Sequence, residues 1–236
     1  MSTVFITGAN RGIGLEHACA FARQGWRVLA CARDPSASAA LAQIAGEYPE
    51  QVQLLTLDVT DHPAIDALAE ELRDQRIDIL INNAGSFGPQ GFPDGMRYQS
   101  LEHMDYGIWR EILEINLLSP FKIAVAFHDQ LARAERPLLV NMTSDLGSIA
   151  QNTQGHSYAY RTSKSGLNMI TKGIAQEWPD IIVIAMAPGW CKTDLGGDNA
   201  HIETADSVRE QQRSFARLTP ADTGQCLDRF GTVVPW

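Results

Sequence analysis

The chain has 236 residues, of which 44% are hydrophobic, and it carries a formal net charge of −9. This length and apolar content suit a single domain with one large core, and the negative charge disfavours nucleic acid and anionic membranes as partners. No apolar stretch approaches the roughly 20 residues of a spanning helix, and the N-terminus lacks a basic n-region, so we expect an unexported, cytoplasmic protein. The four cysteines and six histidines show no metal-ligand spacing, so no metal site is predicted.

Apolar runs typical of strands alternate along the chain with helical patterns. The strands are predicted over 4–6, 27–32, 52–57, 77–81, 138–142 and 181–186. The helices are predicted over 15–23, 38–46, 61–73, 109–131, 160–178 and 200–213, with Asp61 as an N-cap. Continuous apolar strands are expected where helices cover both faces of a parallel sheet. The pattern therefore predicts a single α/β domain with a Rossmann-type, doubly wound parallel sheet.

Two irregular segments, 86–106 and 190–214, interrupt this alternation. The first is rich in glycine and proline, and the second follows Pro188-Gly189. Long loops of this kind often cover active sites, so we expect both segments to contact substrate. Gly196-Gly197 suggests a lid hinge, although a simple loop explains the pair equally well.

A glycine-rich turn follows the first strand, in the order Thr7, Gly8, Ala9, Asn10, Arg11, Gly12, Ile13, Gly14. Gly8 permits the tight turn, Gly12 lets the backbone approach a pyrophosphate, and Gly14 allows the helix to pack closely on the sheet. The N-terminus of the helix that follows offers free N–H donors and a positive dipole end. Such turns also occur without a ligand, but the flanking strand and helix favour dinucleotide binding.

Tyr160 and Lys164 are four residues apart, a spacing that places both side chains on one face of a helix. A neighbouring ammonium stabilises a phenolate, so Lys164 is expected to lower the pKa of Tyr160 and make it a proton donor. Tyr158 is the competing phenol, but Thr162 rather than a cation lies four residues after it. Standing alone, the Tyr160/Lys164 pair is no more than an exposed helical pair.

Several motifs recur in an order that resembles the short-chain dehydrogenase/reductase family. They are the glycine turn, Asn82-Asn83-Ala84-Gly85, Asn116, Ser144, Tyr160-x-x-x-Lys164, and Pro188-Gly189 followed by Thr193. Each is weak alone, but together they are specific, and they span nearly the whole chain. The run 158–164 and the tail 230–236 look more narrowly like the sniffer and C-factor branch of carbonyl reductases.

The resemblance implies a role for each matching residue. Tyr160 would exchange the proton, Ser144 would bind the substrate oxygen, and Asn116 would hold a water that connects Lys164 with solvent. Lys164 would also contact the nicotinamide ribose. The implied cofactor-binding residues are Gly8, Asn10, Arg11, Gly12, Ile13, Gly14, Arg33, Asp58, Val59, Asn82, Ala84, Gly85, Tyr160, Lys164, Pro188, Gly189 and Thr193.

The end of the second strand predicts which nicotinamide cofactor is bound. NAD-binding folds commonly place an acid there, whereas this strand runs through Ala32 into Arg33. Arg33 and Arg11 both have the charge and fork geometry that suit a 2′-phosphate, so NADP(H) is favoured over NAD. Two alternatives stay open: both arginines are solvated, or Asp34 binds the ribose if the strand ends later.

A carbonyl or alcohol compound is the expected substrate, with apolar pocket walls from Phe87, Phe92, Trp109 and Trp190. Tyr160 follows Ser144 by sixteen positions, more than in many family members, so the substrate class does not transfer from the resemblance. An NADP(H)-binding sensor with incidental catalysis is the main alternative. A sugar-nucleotide epimerase fits less well, since little chain follows Pro188. The resemblance also implies a homodimer or homotetramer.

Overall fold

A computed structural model describes residues 1–236 and contains one seven-stranded sheet in which every neighbouring pair of strands is parallel. The strands are β1 (Thr3–Thr7), β2 (Arg27–Ala32), β3 (Val52–Thr56), β4 (Ile79–Asn82), β5 (Leu138–Met142), β6 (Ile182–Ala187) and β7 (Gln225–Asp228). Their spatial order is β3-β2-β1-β4-β5-β6-β7, which is the doubly wound Rossmann arrangement. The predicted fold class is confirmed, although β7 was not predicted.

Eight α-helices connect and cover the strands. They are α1 (Gly12–Arg23), α2 (Ala39–Glu47), α3 (His62–Glu71), α4 (Tyr106–Leu113), α5 (Ser119–Ala126), α6 (His128–Ala132), α7 (Tyr158–Glu177) and α8 (Thr204–Arg217). The predicted N-cap of α3 is confirmed, since the Asp61 side chain accepts a hydrogen bond from the N–H of Ala64. The single helix predicted over 109–131 is wrong: a π-helical turn at Glu114–Leu118 joins α4 to α5, and α6 follows separately. The helix predicted over 200–213 begins four residues later, at Thr204.

Alternating side chains of β1, an interior strand of the sheet, enter two separate cores. Val4 and Ile6 belong to a cluster of 23 buried residues that includes Phe21 of α1. Phe5 belongs to a cluster of 21 buried residues on the other face, with Ile174 of α7. Successive side chains of a strand point to opposite faces, so each face of β1 is covered by its own helix layer. None of the helices combines the length and apolar character needed to cross a bilayer.

The two halves of the sheet diverge between β1 and β4. From β1 the chain runs outward through β2 to β3, and it then returns to β4 on the other side of β1. In open α/β sheets, ligands bind at the carboxyl ends of the strands beside such a switch point. The glycine turn after β1 and residues 83–85 after β4 therefore lie side by side at the place where a ligand is expected.

Candidate active site

The glycine turn is held by contacts that leave no room for side chains. Gly8 has a φ of +65°, and a Cβ built on it would lie 2.9 Å from the Ala84 Cα. A Cβ on Gly14 would lie 2.3 Å from the Gly8 carbonyl oxygen, so α1 packs closely against the turn that follows β1. No side chain caps the start of α1. The N–H groups of its first turn thus have no side-chain partner, and since Gly12 and Ile13 line the cleft, they are available to an anion bound there.

Asn83, rather than Asn82, organises the strand ends. The Asn83 side chain donates hydrogen bonds to the carbonyls of Thr7 (2.9 Å) and Gly8 (3.1 Å). Asn82 is buried and donates to the Pro120 carbonyl and the Asn141 side chain, so it does not line the cleft. The side chain of Asn82, which the resemblance places among the cofactor-binding residues, is therefore turned away from the cleft. The two asparagines are adjacent, and strand alternation sends the side chain of Asn82, the last residue of β4, into the core.

A cleft of about 1190 Å³ opens along the carboxyl ends of the strands. Most of the predicted site residues line it, from the glycine turn at one end to Tyr160 at the other. These residues are Gly8, Asn10, Arg11, Gly12, Ile13, Arg33, Asp58, Val59, Ala84, Gly85, Ser144, Tyr160, Lys164, Pro188, Gly189 and Thr193. Gly14, Asn82 and Asn116 lie behind the cleft wall. The cleft is long and has the glycine turn at one end, so its shape fits an extended dinucleotide.

Tyr160 and Lys164 are both buried on one face of α7, as the spacing predicts. The Lys164 Nζ lies 5.6 Å from the centre of the Tyr160 ring and donates a hydrogen bond to the Met142 carbonyl at 2.8 Å. Burial lowers the pKa of Lys164 to about 8. Burial also raises the pKa of Tyr160 to about 12, opposed by a hydrogen bond with Ser144 and reinforced by the charge of Asp145.

The expected lowering of the Tyr160 pKa by Lys164 is therefore not found. The loss of hydration on burial disfavours the phenolate, and the ammonium is directed to the Met142 carbonyl rather than to the phenol oxygen. Tyr160 consequently keeps its proton at neutral pH. A protonated phenol is the form that can donate to a substrate oxygen, so this environment suits reduction of a carbonyl group.

Ser144 lies beside the phenol at the carboxyl end of β5. Both hydroxyl groups line the same end of the cleft, close enough for Ser144 to lower the pKa of the Tyr160 phenol, and the Ser144 Oγ accepts the N–H of Leu146 at 3.1 Å. Two adjacent hydroxyl donors can bind a single carbonyl oxygen from two directions. Such donors stabilise negative charge that develops on that oxygen in a transition state.

Asn116 lies in the π-helical turn, and its side chain makes three hydrogen bonds. Its Oδ1 accepts the N–H of Ser86 at 2.8 Å, while its Nδ2 donates to the Ser86 carbonyl and to the Ser163 Oγ. π-Helical turns are often found at functional sites. Asn116 thereby ties the start of the 86–106 segment to α7, a link that the sequence pattern did not predict.

Arg33 lies at the end of the cleft away from Tyr160, where it is exposed and forms no ion pair. The carboxylate of its neighbour Asp34 is already engaged in hydrogen bonds. Asp34 accepts hydrogen bonds from Ser36 and from the N–H of Ala37, and thus caps a short 3₁₀ turn. Arg11 pairs instead with Asp194 across the cleft at 2.5 Å. Of the two arginines predicted to bind a 2′-phosphate, Arg33 is thus the one without a carboxylate partner.

Three aromatic rings surround the substrate end of the cleft. The Phe87 ring lies 4.9 Å from the Tyr160 ring, and Phe92 meets Trp190 edge to face at 5.3 Å. Trp109 does not reach this pocket, so its prediction as a pocket wall is wrong. It stacks on Tyr106, and its Nε1 donates to the Thr162 Oγ1.

The two loops at this end are joined to each other. The N–H of Phe92 donates to the Leu195 carbonyl at 3.0 Å, and a Cβ built on Gly197 would lie 2.0 Å from the Phe92 carbonyl oxygen. A Cβ on Gly196 would lie 2.1 Å from the Cys191 oxygen. The glycine pair thus permits close backbone contacts that form a roof over the pocket, which accounts for both glycines without a hinge.

Comparison with known proteins places this site in a family. The family model described as short chain dehydrogenase matches residues 2–203, most of the chain. The chain belongs to this family. It is therefore an oxidoreductase, and the order of motifs from the glycine turn to Thr193 has the family origin that the sequence predicts.

Individual members of the family are similar over most or all of the chain. C-signal of Myxococcus xanthus is 35% identical over 162 residues, which cover 68% of this chain and 93% of that protein. The structure of carbonyl reductase Sniffer of D. melanogaster matches with a TM-score of 0.90 at 28% identity, with full coverage of both chains. An NADPH-bound carbonyl reductase from chicken fatty liver also matches with a TM-score of 0.90 at 28% identity, covering 100% of this chain and 99% of that one.

Proposed function

We propose that this family member reduces the carbonyl group of a small, largely apolar compound with NADPH, and that the reverse oxidation uses the same groups. The observation that carries the proposal is the adjacency of Ser144 and Tyr160, with Lys164 below them, at one end of a dinucleotide-shaped cleft. Similarity to NADPH-bound and other carbonyl reductases over the full chain supports it.

Carbonyl reduction needs a hydride, a proton and a hydrogen-bond donor to the carbonyl oxygen, and this chain supplies the last two. A bound nicotinamide supplies the hydride that forms the new C–H bond at the carbonyl carbon. Tyr160 gives its proton to the carbonyl oxygen as that oxygen becomes an alkoxide, which is a stronger base than a phenolate. Ser144 donates a hydrogen bond to the same oxygen, an interaction that strengthens as negative charge develops there.

Lys164 serves proton resupply and cofactor orientation in this scheme. After the transfer, its ammonium stabilises the phenolate of Tyr160. We place a water between Lys164 and solvent beside Asn116. A Cβ built on Gly85 would lie 3.7 Å from the Lys164 Nζ and 3.4 Å from the Asn116 Oδ1, so both groups border the same space. The first turn of α1 and Gly12 would hold the pyrophosphate, and Thr193 the carboxamide.

Preference for NADPH over NADH rests on Arg33. Each charged hydrogen bond lost to the 2′-phosphate is worth roughly 1.5 to 3 kcal/mol, so Arg33→Asp should reduce the NADPH/NADH affinity ratio by about tenfold or more. Fluorescence titration of both cofactors measures the ratio. Arg213→Asp makes the same charge change on α8, away from the cleft, and should leave the ratio unchanged. Equal affinities of the unmodified protein for the two cofactors would contradict the preference.

The substrate end favours a small or medium carbonyl compound with an apolar body, bound between segments 86–106 and 190–214. Phe87, Phe92 and Trp190 supply apolar walls there. A panel of aldehydes, ketones and quinones, assayed by NADPH oxidation and by product identification, tests this proposal. Turnover of at least one class is expected, and binding of NADPH without turnover of any class would refute it.

A signalling role is the second candidate, and one comparison favours it: the relative that is 35% identical bears the name C-signal. A protein that only sensed NADP(H) would not require Ser144 beside Tyr160. The two candidates are distinguished by whether loss of Tyr160 abolishes the biological output or leaves it intact.

Assembly into a homodimer or homotetramer is a further part of the proposal. Exposed apolar side chains project from the π-turn, α5 and α7: Leu118, Phe121, Val125 and Met169 are 46–72% exposed. Light scattering should give at least twice the 25.9 kDa of one chain, and a Phe121→Asp/Met169→Asp double variant should give less than the parent. A monomeric parent at micromolar concentration would rule the assembly out.

A cytoplasmic location is proposed because all four cysteines are free thiols.

A further inference from the structure

The helix that carries Tyr160 begins without a local cap. Gly155, His156 and Ser157 precede it with φ angles of 67°, 58° and 50°, and Ser157 makes no side-chain capping hydrogen bond. Left-handed backbone is costly for residues other than glycine, and free N–H groups in a buried first turn are costly as well. Some other part of the chain must satisfy those groups.

Gln99 satisfies them from a distant position in the sequence. Its backbone carbonyl accepts the N–H of Tyr158 at 3.2 Å, and its side-chain Oε1 accepts the N–H of Tyr160 at 2.8 Å. The residue is completely buried and lies 61 positions before Tyr160. The backbone of the proton donor itself is thus fixed by a side chain from segment 86–106.

The amide nitrogen of the same side chain binds the backbone of segment 86–106, which we call the substrate loop. The Gln99 Nε2 donates to the Phe87 carbonyl at 2.8 Å and reaches the Gly95 carbonyl at 3.4 Å. Phe87 packs its ring against Tyr160, and Phe92 is hydrogen-bonded to Leu195 in the second loop. The Gln99 amide group therefore links segment 86–106, which covers the pocket, to the first turn of α7.

We propose that Gln99 is a positioning residue that fixes the backbone of Tyr160 relative to segment 86–106. The inference rests on the proposed reduction, in which Tyr160 is the proton donor. Glutamine suits the position because its amide accepts from the helix and donates to the loop at once. Neither a carboxylate nor an apolar side chain can do both.

Two variants separate the contributions of the two side-chain hydrogen bonds. Gln99→Met removes both of them at similar side-chain volume. Gln99→Glu keeps an oxygen that accepts the Tyr160 N–H but loses the amide N–H that donates to the Phe87 carbonyl. Gln99→Met should lower kcat by about tenfold or more, because an ångström of misplacement at a reacting group can cost about a hundredfold. Gln99→Glu should restore most of kcat while the substrate KM stays raised by about threefold or more. The dissociation constant of NADPH should be unchanged in both.

Gln130→Met is the matched control. Gln130 is also buried and donates to the Ala69 carbonyl, but it lies outside the cleft. The Gln130→Met substitution should lower the free energy of unfolding without changing kcat or KM. If Gln99→Met does not fold, the change in KM at near-normal kcat for Gln99→Glu remains the test, and kinetics of Gln99→Glu that match the parent would overturn the proposal.

A double variant shows whether Gln99 acts through Tyr160. In a protein that already carries Tyr160→Phe, Gln99→Met should cause little further loss of kcat. If the loss in the double variant equals the product of the two single losses, Gln99 acts independently of Tyr160 and the proposal is overturned. Amide hydrogen exchange of residues 157–161 should accelerate in Gln99→Met but not in Gln130→Met, and this readout needs no substrate. Normal turnover by Tyr160→Phe would refute the proposed reaction, whereas unchanged exchange and kinetics in Gln99→Met would refute only the role of Gln99.

Discussion

Replacing Tyr160 with phenylalanine should reduce turnover at least about a hundredfold while NADPH still binds. General acid catalysis is typically worth 10² to 10⁴ in rate, and the variant lacks only the hydroxyl that donates the proton. The ring contact with Phe87 is retained, so the pocket keeps its shape. Steady-state kinetics and cofactor titration of the same preparation measure the two quantities.

Tyr158→Phe is the control for this experiment. Tyr158 also lies in the first turn of α7, but its ring has no cation beside it. It should keep near-normal kcat. Retained activity in Tyr160→Phe together with lost activity in Tyr158→Phe would transfer the proton-donor role to Tyr158.

Replacing Lys164 with methionine should abolish activity and at the same time stabilise the fold at neutral pH. Loss of activity should equal or exceed that of Tyr160→Phe, and NADPH binding should weaken if Lys164 contacts the ribose. Burial lowers the pKa of this lysine from 10.5 to about 8, so folding at pH 7 must desolvate an ammonium. Removing that cost outweighs the lost bond to Met142, with a net gain on the order of 1–2 kcal/mol.

The pH dependence of that gain has a definite sign. A lysine whose pKa is lowered on folding destabilises the folded state below its folded pKa, because the unfolded chain binds the proton more tightly. The penalty declines as the pH rises from about 8 towards 10.5, the interval between the folded and unfolded pKa values. Denaturant unfolding at several pH values should therefore show the advantage of Lys164→Met shrinking across this interval. A gain that grew with pH would contradict the burial of a charged Lys164.

Much of the fold was predictable because parallel strands covered on both faces are apolar throughout. The first six strands are apolar over most of their length, whereas β7 has only Cys226 and Leu227 buried between two partly exposed ends, too little signal for a strand. Helix periodicity likewise continues through 114–118, so the π-helical turn at Asn116 could not be predicted. The Asn116 side chain in this turn donates to Ser86 and Ser163, which are distant in sequence.

The site was predictable where its chemistry depends on local spacing, and less so where it depends on burial. The four-residue spacing of Tyr160 and Lys164 places both side chains on one face of α7. The direction of the Tyr160 pKa shift was wrong, because desolvation by the surrounding loops cannot be read from neighbouring residues. Gln99 has no local motif, since both of its arms reach groups that are brought together only by the fold.

Transfer of an isotopic label tests the central claim most directly. NADPH carrying deuterium at the reactive carbon should be incubated with the protein and with the carbonyl compound most rapidly turned over in the panel, and the product examined by mass spectrometry. The proposed function predicts an alcohol with one deuterium on the former carbonyl carbon, formed by the parent protein and lost with Tyr160→Phe. Cofactor that binds in the cleft but never transfers its label to any carbonyl compound would contradict the claim.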